Sequence, residues 1–252
     1  MVSSGSSRAS SAPVRVLPGL ERSGNSVLDA LPASERDPLL ARAELQRLEA
    51  QTVLYRPQEP LPSVWFPTTG IVSLLTVLGD GSGIETATIG REGMVGVTVF
   101  LGDHLVANGR GVVQLRGNAL RLDVNTFRAA SVEGTKLREL LLAYTRALLL
   151  QVAQGVACAA AHTIPQRLAR WILQTTDRVA NDEIELTQQF LSEILGVRRA
   201  SVTESLHALE RRDAITTTRG RIRIARRDRL AEMSCECYDV VGDEYARLLP
   251  DS

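Results

Sequence analysis

The sequence predicts an α+β fold: an N-terminal β-barrel or jelly roll, then one long helix, then a smaller helical domain that ends in a β-hairpin. Three observations predict it, namely a series of short β-rich segments, a long stretch of helical periodicity, and two short helices followed by paired extended segments. The chain has 252 residues, of which 44% are hydrophobic and 23% are charged. This composition suits two folded domains and excludes a wholly disordered or collagen-like chain.

Charge and cysteine content limit the classes of protein to which this sequence can belong. Basic and acidic residues number 29 each, so a basic binding surface has to be local. Three cysteines argue against a secreted scaffold held by disulfides. No uninterrupted apolar run approaches the roughly 20 residues of a membrane helix, and the Ser-rich residues 1–11 lack the apolar centre of a signal peptide. We therefore expect a cytoplasmic protein with no membrane partner.

The N-terminal half is expected to contain the β-rich domain. Residues 1–26, rich in Ser, Gly and Pro, are predicted to be a disordered tail, and residues 27–132 to form the barrel. Within the barrel, Asp80-Gly81 is a strong hairpin signal. The predicted strands, each bounded by turn residues, are 52–55, 63–67, 70–78, 83–89, 95–100, 111–115 and 120–122.

Residues 133–162 are predicted to form a long helix that makes a homodimer. The residues that form one seam along this helix recur at alternating spacings of three and four. Apolar side chains also occupy other faces, so the helix needs two partners, the barrel and the same helix of a second chain. Packing on the barrel alone is the alternative. The predicted interface consists of Leu137, Leu141, Tyr144, Leu148, Gln151, Gly155 and Cys158.

Residues 163–227 have the order helix, turn, helix and hairpin of a winged helix-turn-helix. Thr187 is a good N-cap for the first helix, and Gly196 suits the tight turn that follows it. A hairpin turn is predicted at Arg219-Gly220. The remaining residues, 228–252, are expected to be a C-terminal helical tail. The two helices are predicted over residues 188–195 and about 198–211.

The second of these helices suits the major groove of DNA. Val202, Leu206 and Leu209 form its buried stripe, and its other face carries arginines and short hydroxyl side chains, which bond to base edges and phosphates. Residues 196–229 contain ten Arg against four acidic residues, so basic charge is concentrated there. We therefore predict double-stranded DNA as a partner. The predicted contact residues are Thr187, Gln188, Arg198, Arg199, Ser201, Thr203, Glu204, His207, Arg219 and Arg221.

The segment TQQFLSEILGVRRASVT, from Thr187 to Thr203, resembles the signature of the Crp/Fnr transcription regulators. The order of barrel, long helix and winged helix is similar too, over about residues 27–227. The resemblance implies a cyclic-nucleotide-binding-like barrel that binds an effector, dimerisation through the long helix, and a DNA-reading helix. By position, Arg199 matches the family's principal base-contacting arginine. Glu204 stands where a member of the family has a second basic reader, so that member's target sequence does not transfer to this chain.

The effector pocket that the resemblance implies departs from the family pattern. Residues 93–98 lack the Glu that holds a ribose, and Arg110, near the position of the phosphate-binding arginine, is followed by Gly111. Cyclic AMP is therefore not expected, whereas cyclic-di-GMP, another ligand or no ligand stay open. Segments 67–75 and 90–96 resemble a family subgroup with a degenerate effector domain. The candidate effector residues are Gly96, Val97, Thr98 and Arg110.

No cofactor and no metal are expected. Cys235 and Cys237 resemble half of a metal site, but only Cys158 remains elsewhere in the chain. A structural cysteine pair is the favoured interpretation, and a thiol-redox role is the alternative. Three histidines are scattered without metal-ligand spacing: His104, His162 and His207.

The function that these patterns favour is sequence-specific transcription regulation, without enzymatic activity. A barrel-based enzyme or ligand-binding protein is the alternative, but the barrel segment lacks a His/Asp/Glu metal trio, a nucleophile elbow and a phosphate-binding glycine loop. A third alternative is a regulator whose helix-turn-helix or wing contacts a protein. RNA polymerase is a further candidate partner.

Overall fold

The computed structural model describes residues 14–15, 22–102, 107, 109–179 and 181–248. Most of the tail predicted over residues 1–26 therefore lies outside the described residues. Its described end is folded, because Asn25 is buried and its side-chain oxygen accepts hydrogen bonds from the backbone N–H groups of Val27 and Leu28.

The N-terminal strands form one antiparallel sheet. They are β1 (Val14–Arg15), β2 (Glu44–Leu48), β3 (Val53–Tyr55), β4 (Ser63–Val77), β5 (Gly83–Ile89) and β6 (Arg110–Asp123). Their order is β1-β2-β6-β4-β5, and β3 pairs with β6. Within the part of the chain that the structure describes, β1 and β5 do not pair with each other. The predicted barrel is thus an open sheet, because no pairing of β1 with β5 closes it among the described residues.

The pairing of β4 with β6 bends this sheet. Its register shifts three times between Pro67 and Val72, and such shifts bend and twist a strand. Gly70 stands at the bend with φ 77°, and a Cβ on it would lie 2.6 Å from the carbonyl oxygen of Leu115. The glycine therefore lets two strands approach closely, and the predicted strands on either side of it are one strand.

Short helices flank the sheet. They are α1 (Ser26–Asp29), α2 (Ala33–Leu40), α3 (Thr98–Leu101) and α4 (Val124–Ala130). The strand predicted over residues 95–100 is wrong, since this segment makes a single bridge from Val95 to Trp65 and then enters α3. Gly96 has φ 97°, a left-handed conformation that ends the extended run.

The long helix is α5 (Lys136–Ala161), followed directly by α6 (Ile164–Val179). Thr135 caps the start of α5 by accepting a hydrogen bond from the N–H of Arg138, and the extended backbone of His162 ends the helix. α5 is long and apolar enough to cross a membrane by length and composition alone. One of its faces is buried in the fold, as in the core helix of a globular protein.

Most of the dimer seam predicted on α5 is buried within the chain's own fold. The Tyr144 hydroxyl donates to the carbonyl oxygen of Met94 at 3.0 Å, and the Gln151 amide donates to that of Thr88 at 3.1 Å. Gly155 is half-buried. The seam residues that are buried are Leu137, Leu141, Tyr144, Leu148, Gln151 and Cys158.

A different face of α5 is exposed. Leu142, Leu149 and Val156 are 52%, 66% and 68% exposed, respectively. They are seven residues apart, and this spacing places them along one stripe of a helix. The stripe lies on the side of α5 that the sheet does not cover.

The C-terminal elements form a second unit. They are α7 (Gln188–Leu195), α8 (Arg199–Glu210), α9 (Arg227–Glu232), α10 (Cys237–Leu248), β7 (Glu183–Glu185), β8 (Ile215–Thr218) and β9 (Arg221–Ile224). The strands form a small antiparallel sheet in the order β7-β9-β8. α10 packs on α5 and α6, and its Leu248 joins the hydrophobic core of the N-terminal sheet. The predicted C-terminal tail is therefore an integral part of the fold.

Candidate nucleic-acid interface

The helix-turn-helix is built by local signals in the sequence. Thr187 caps α7 by accepting a hydrogen bond from the N–H of Phe190 at 3.2 Å. Gly196 ends α7 in the left-handed conformation, with φ 63°, and its N–H bonds back to the last turn. The facing sides of α7 and α8 are then buried together through Leu191, Leu206 and other apolar residues of the second core. This packing fixes the orientation of α8.

The outer face of α8 carries the predicted groove-reading side chains. Arg198, Arg199, Glu204 and His207 are exposed there, whereas Ser201 and Thr203 are half-buried. The Thr203 hydroxyl donates to the side-chain oxygen of Gln188 at 3.0 Å. This hydrogen bond joins the first turn of α7 to α8, so the two helices present their polar groups as one surface.

The wing is the hairpin of β8 and β9. Gly220 makes its turn with φ 75°, and Arg219 is exposed beside it. Arg221 pairs with two carboxylates of β7, at 3.3 Å from Glu183 and 3.0 Å from Glu185. The charge of Arg221 is therefore largely compensated within the chain, which the sequence did not indicate.

A cleft of about 640 Å³ lies between the start of α7, the start of α8 and the wing. Thr217 and Thr218 also line it and were not predicted, because hydroxyl residues in a hairpin carry no motif of their own. The other predicted α8 residues lie outside its lining. The predicted contact residues that do line the cleft are Thr187, Gln188, Arg199, Arg219 and Arg221.

Basic charge remains available on the surface of the helix-turn-helix and the wing. Four arginines of residues 196–229 form ion pairs, with Arg226 bound to Asp228 and Arg229 to Asp213, for example. The others are exposed, and no ion pair of theirs occurs among the described residues: Arg198, Arg199, Arg211, Arg212, Arg219 and Arg223. These six produce the local positive surface that the sequence predicted.

None of the predicted effector residues lines the cleft between α7, α8 and the wing. Gly96 packs against Val64 near the start of β4, Val97 is buried and Thr98 begins α3. Arg110 instead pairs with Leu75 near the other end of β4.

The Nε atom of Arg110 is buried and has no hydrogen-bond partner among the described residues. Residues 96–98 supply no carboxylate that could bind a ribose hydroxyl. The residues present therefore do not fit the cyclic-nucleotide pocket of the family.

Glu85 is also unavailable to a ribose, because it is the centre of a buried hydrogen-bond network. Its carboxylate accepts from Ser73 at 2.5 Å, Gln114 at 3.0 Å and Trp171 at 3.2 Å. Burial raises the pKa of the Glu85 carboxyl group, an effect that these hydrogen bonds and the charge of Arg170 partly offset. Trp171 lies on α6 and packs in the hydrophobic core of the C-terminal unit, so the network ties the sheet to that unit.

A second buried contact joins the same two units. Glu92 forms an ion pair with Arg178 at 2.7 Å, and the side chains are only 15% and 10% exposed. The Arg178 guanidinium also lies over the ring of Tyr245, 5.7 Å from its centre. Burial alone would lower the pKa of Arg178, but the charges of Glu92, Tyr245 and Glu85 and the hydrogen bond to Glu92 together outweigh this effect and raise the pKa.

Three cysteines and one histidine from distant parts of the sequence come together in the fold. Cys158 and His162 at the end of α5 meet Cys235 and Cys237 beside α10, and their potential ligand atoms all lie within 4.8 Å of one another. Burial raises the pKa of the Cys158 thiol, and raises that of Cys235 to about 12. His207 is exposed on α8, and His104 lies outside the described residues.

Comparison with known proteins supports the fold and the helix-turn-helix. The Crp-like helix-turn-helix domain model matches residues 166–233. No curated protein matches the chain significantly.

Several solved structures have the same fold. FixK2 from Bradyrhizobium japonicum is 18% identical with a TM-score of 0.65, and the match covers 77% of this chain and 98% of that one. The c-di-GMP-responsive global regulator CLP of Xanthomonas campestris is 14% identical with a TM-score of 0.63, covering 77% and 100%. A Crp/Fnr-family transcriptional regulator from Thermus thermophilus is 18% identical with a TM-score of 0.62, covering 75% and 97%. The chain therefore has the fold of these solved structures, and its residues 166–233 match the Crp-like helix-turn-helix domain.

Proposed function

We propose that the protein is a cytoplasmic transcription regulator that binds double-stranded DNA in a sequence-specific manner. One observation carries the proposal: five predicted contact residues, which come from α7, α8 and the wing, line a single cleft. The exposed start of α8 would enter the major groove, where Arg199 can bond to a guanine through two hydrogen bonds. The capped start of α7, at Thr187, would hold a backbone phosphate.

The unit that binds DNA is proposed to be a homodimer joined by the exposed stripe of α5. Leu142, Leu149 and Val156 recur at the heptad spacing that two helices use to pack together. The small residues Ala153 and Ala160 are exposed between and beyond them and would allow close approach. A dimer of this kind would bind a pseudo-palindrome whose half-sites lie about 34–36 Å apart. RNA polymerase stays a candidate partner at the promoter.

We do not propose cyclic AMP as the effector. Glu85 and Glu92 are the two carboxylates that could replace the missing ribose anchor. Both are engaged inside the fold, Glu85 with Trp171 and Glu92 with Arg178. Isothermal titration should therefore detect no tight binding, since a hydroxyl that loses water without gaining a partner costs about 1–3 kcal/mol. A dissociation constant of about 1 μM or below, roughly −8 kcal/mol, would contradict this expectation.

If an anionic effector is used instead, the unpartnered Nε of Arg110 is the group that supports it. Arg110→Ala would then reduce ligand-dependent DNA affinity and leave ligand-free affinity intact.

The test of the proposed function is selection from a random duplex library with the full-length protein. The selected duplex and a scrambled duplex of equal length are then compared by fluorescence anisotropy at fixed salt. A regulator should favour the selected duplex by roughly 10³-fold or more. Equal affinity for the two duplexes would contradict sequence-specific binding, and no detectable binding to either would favour a helix-turn-helix that contacts protein.

A further inference from the structure

Four potential metal ligands converge where α5 ends and α10 begins. Cys158 and His162 are one helical turn apart at the end of α5. Cys235 and Cys237 lie on either side of a single residue at the start of α10. The two pairs are more than 70 residues apart in sequence, and only the packing of α10 on α5 unites them.

The spacing of the ligand atoms matches one tetrahedral ion. The sulfurs of Cys158 and Cys235 are 3.6 Å apart, and the Cys237 sulfur is 3.6 Å from Nδ1 of His162. A tetrahedral zinc ion, with its usual bond lengths, separates two sulfur ligands by about 3.8 Å and a sulfur from a nitrogen ligand by about 3.6 Å. All four atoms lie within 4.8 Å of one another, which suits a single ion and is too compact for a cluster with several irons.

The surroundings of the four residues also suit a bound cation. The three cysteines are buried, and the His162 side chain is 15% exposed. While Nδ1 of His162 faces the sulfurs, its Nε2 lies 3.2 Å from a carboxylate oxygen of Glu236. A carboxylate on the far nitrogen is the usual partner of a metal-binding histidine, since it orients the ring. The Gln154 amide donates to the Cys237 sulfur at 3.1 Å, so this sulfur is already positioned as an acceptor.

We propose that Cys158, His162, Cys235 and Cys237 bind one Zn²⁺ ion in a closed structural site. Three sulfurs and one imidazole form a ligand set that zinc takes in structural sites, with no position left for water or substrate. The ion would join the end of α5 to the start of α10 at the point where the chain passes into α6. It would therefore hold the C-terminal unit in place against the long helix.

Metal content provides the first test. Full-length protein with a tag that contains no histidine is purified without chelator, and its metals are measured by mass spectrometry. The expected result is about one zinc per chain, falling below roughly a tenth of that value in Cys235→Ala and Cys237→Ala. Ser234→Ala, beside the same site, is the matched control and should retain the zinc. Retention of zinc by both cysteine variants would overturn the proposal.

A second test uses the unaltered protein and does not depend on whether the variants fold. The bound metal is removed with a chelator under reducing conditions and Co²⁺ is added. Tetrahedral Co²⁺ with thiolate ligands should give intense visible bands and a sulfur-to-metal charge-transfer band. The weak spectrum of octahedral Co²⁺ would overturn the proposal, and so would iron with acid-labile sulfide in the purified protein. A Cys158–Cys235 disulfide that persists after purification under reducing conditions would do the same.

The role of Glu236 offers an independent measurement. Glu236→Gln keeps the shape of the side chain but removes the charge that orients His162. Zinc affinity, measured by competition with a chromophoric chelator, should fall roughly 10- to 100-fold while the stoichiometry is unchanged. Unchanged affinity would show that His162 is not held as a ligand.

Discussion

The indole N–H of Trp171 donates a hydrogen bond to a carboxylate oxygen of Glu85 at 3.2 Å. Trp171 lies on α6 and is 3% exposed, whereas Glu85 lies on β5 in the N-terminal sheet. The bond therefore crosses between the two units of the chain. Ser73 and Gln114 also donate to Glu85, so this one carboxyl group joins four elements of the fold, namely β4, β5, β6 and α6.

The pH dependence of stability should reflect Glu85. Burial raises the pKa of its carboxyl group in the folded state, so the stability that it supports is fully present below the unfolded pKa and is lost as pH rises through the folded pKa. Glu85→Gln keeps an acceptor for Trp171 and cannot ionise. The free energy of unfolding of the native protein relative to this variant should therefore decline as pH rises from about 4.5.

Denaturant unfolding of both proteins at a series of pH values measures this difference. Taking the difference between the two proteins cancels the titration of all other groups. A difference that grows with pH would mean that the hydrogen bonds and Arg170 hold Glu85 as a stable anion, contrary to the expectation.

Arg199 should determine sequence specificity. Arg199→Ala should weaken binding to the selected duplex by about 1–3 kcal/mol, the range for a bidentate contact with guanine, and should affect a scrambled duplex much less. Arg211→Ala removes the same charge at the exposed C-terminal end of α8, away from the cleft, and is the matched control. Anisotropy titrations with both duplexes measure the effects. An equal loss on both duplexes for Arg199→Ala would show that this residue contacts a phosphate.

The exposed stripe of α5 should form the dimer. Leu149→Glu places a charge in the middle of the stripe, where burial in an interface is expensive, and should give a monomer in sedimentation experiments. Val132→Glu is the control, because Val132 is 52% exposed but lies outside α5. A dimer that survives Leu149→Glu would rule out this stripe. Leu141→Glu should instead unfold the protein, since Leu141 is fully buried in the monomer.

The sequence predicted the helix-turn-helix well because its signals are local. Thr187 caps α7, Gly196 ends it and Gly220 makes the wing turn. Threonine is a preferred N-cap residue, and glycine readily adopts the left-handed conformation of a helix end or a turn. The orientation of α5 could not be predicted in this way, because apolar residues occur on several of its faces. The sheet selects the face on which Tyr144 and Gln151 can reach backbone carbonyl groups.

The cysteine cluster has no local signal either. Cys158 and Cys235 are separated by 77 residues, and their meeting depends on the return of α10 to the end of α5. Only the half-motif formed by Cys235 and Cys237 can be recognised in the sequence. The ion pairs of Arg221 with Glu183 and Glu185 could not be predicted for the same reason, because β7 and β9 are neighbours only after folding.

Two arginines of the wing should differ in their response to salt. Arg219 is exposed at the turn and forms no ion pair among the described residues, whereas Arg221 is bound by Glu183 and Glu185. A phosphate contact contributes about 0.9 to the slope of log K against log salt concentration. Arg219→Ala should reduce the magnitude of the slope by roughly that amount, and Arg221→Ala by clearly less, because the Arg221 charge is already compensated. Anisotropy titrations over a series of salt concentrations measure both slopes. A larger change for Arg221→Ala would mean that DNA displaces Glu183 and Glu185 from Arg221, and that the wing rearranges on binding.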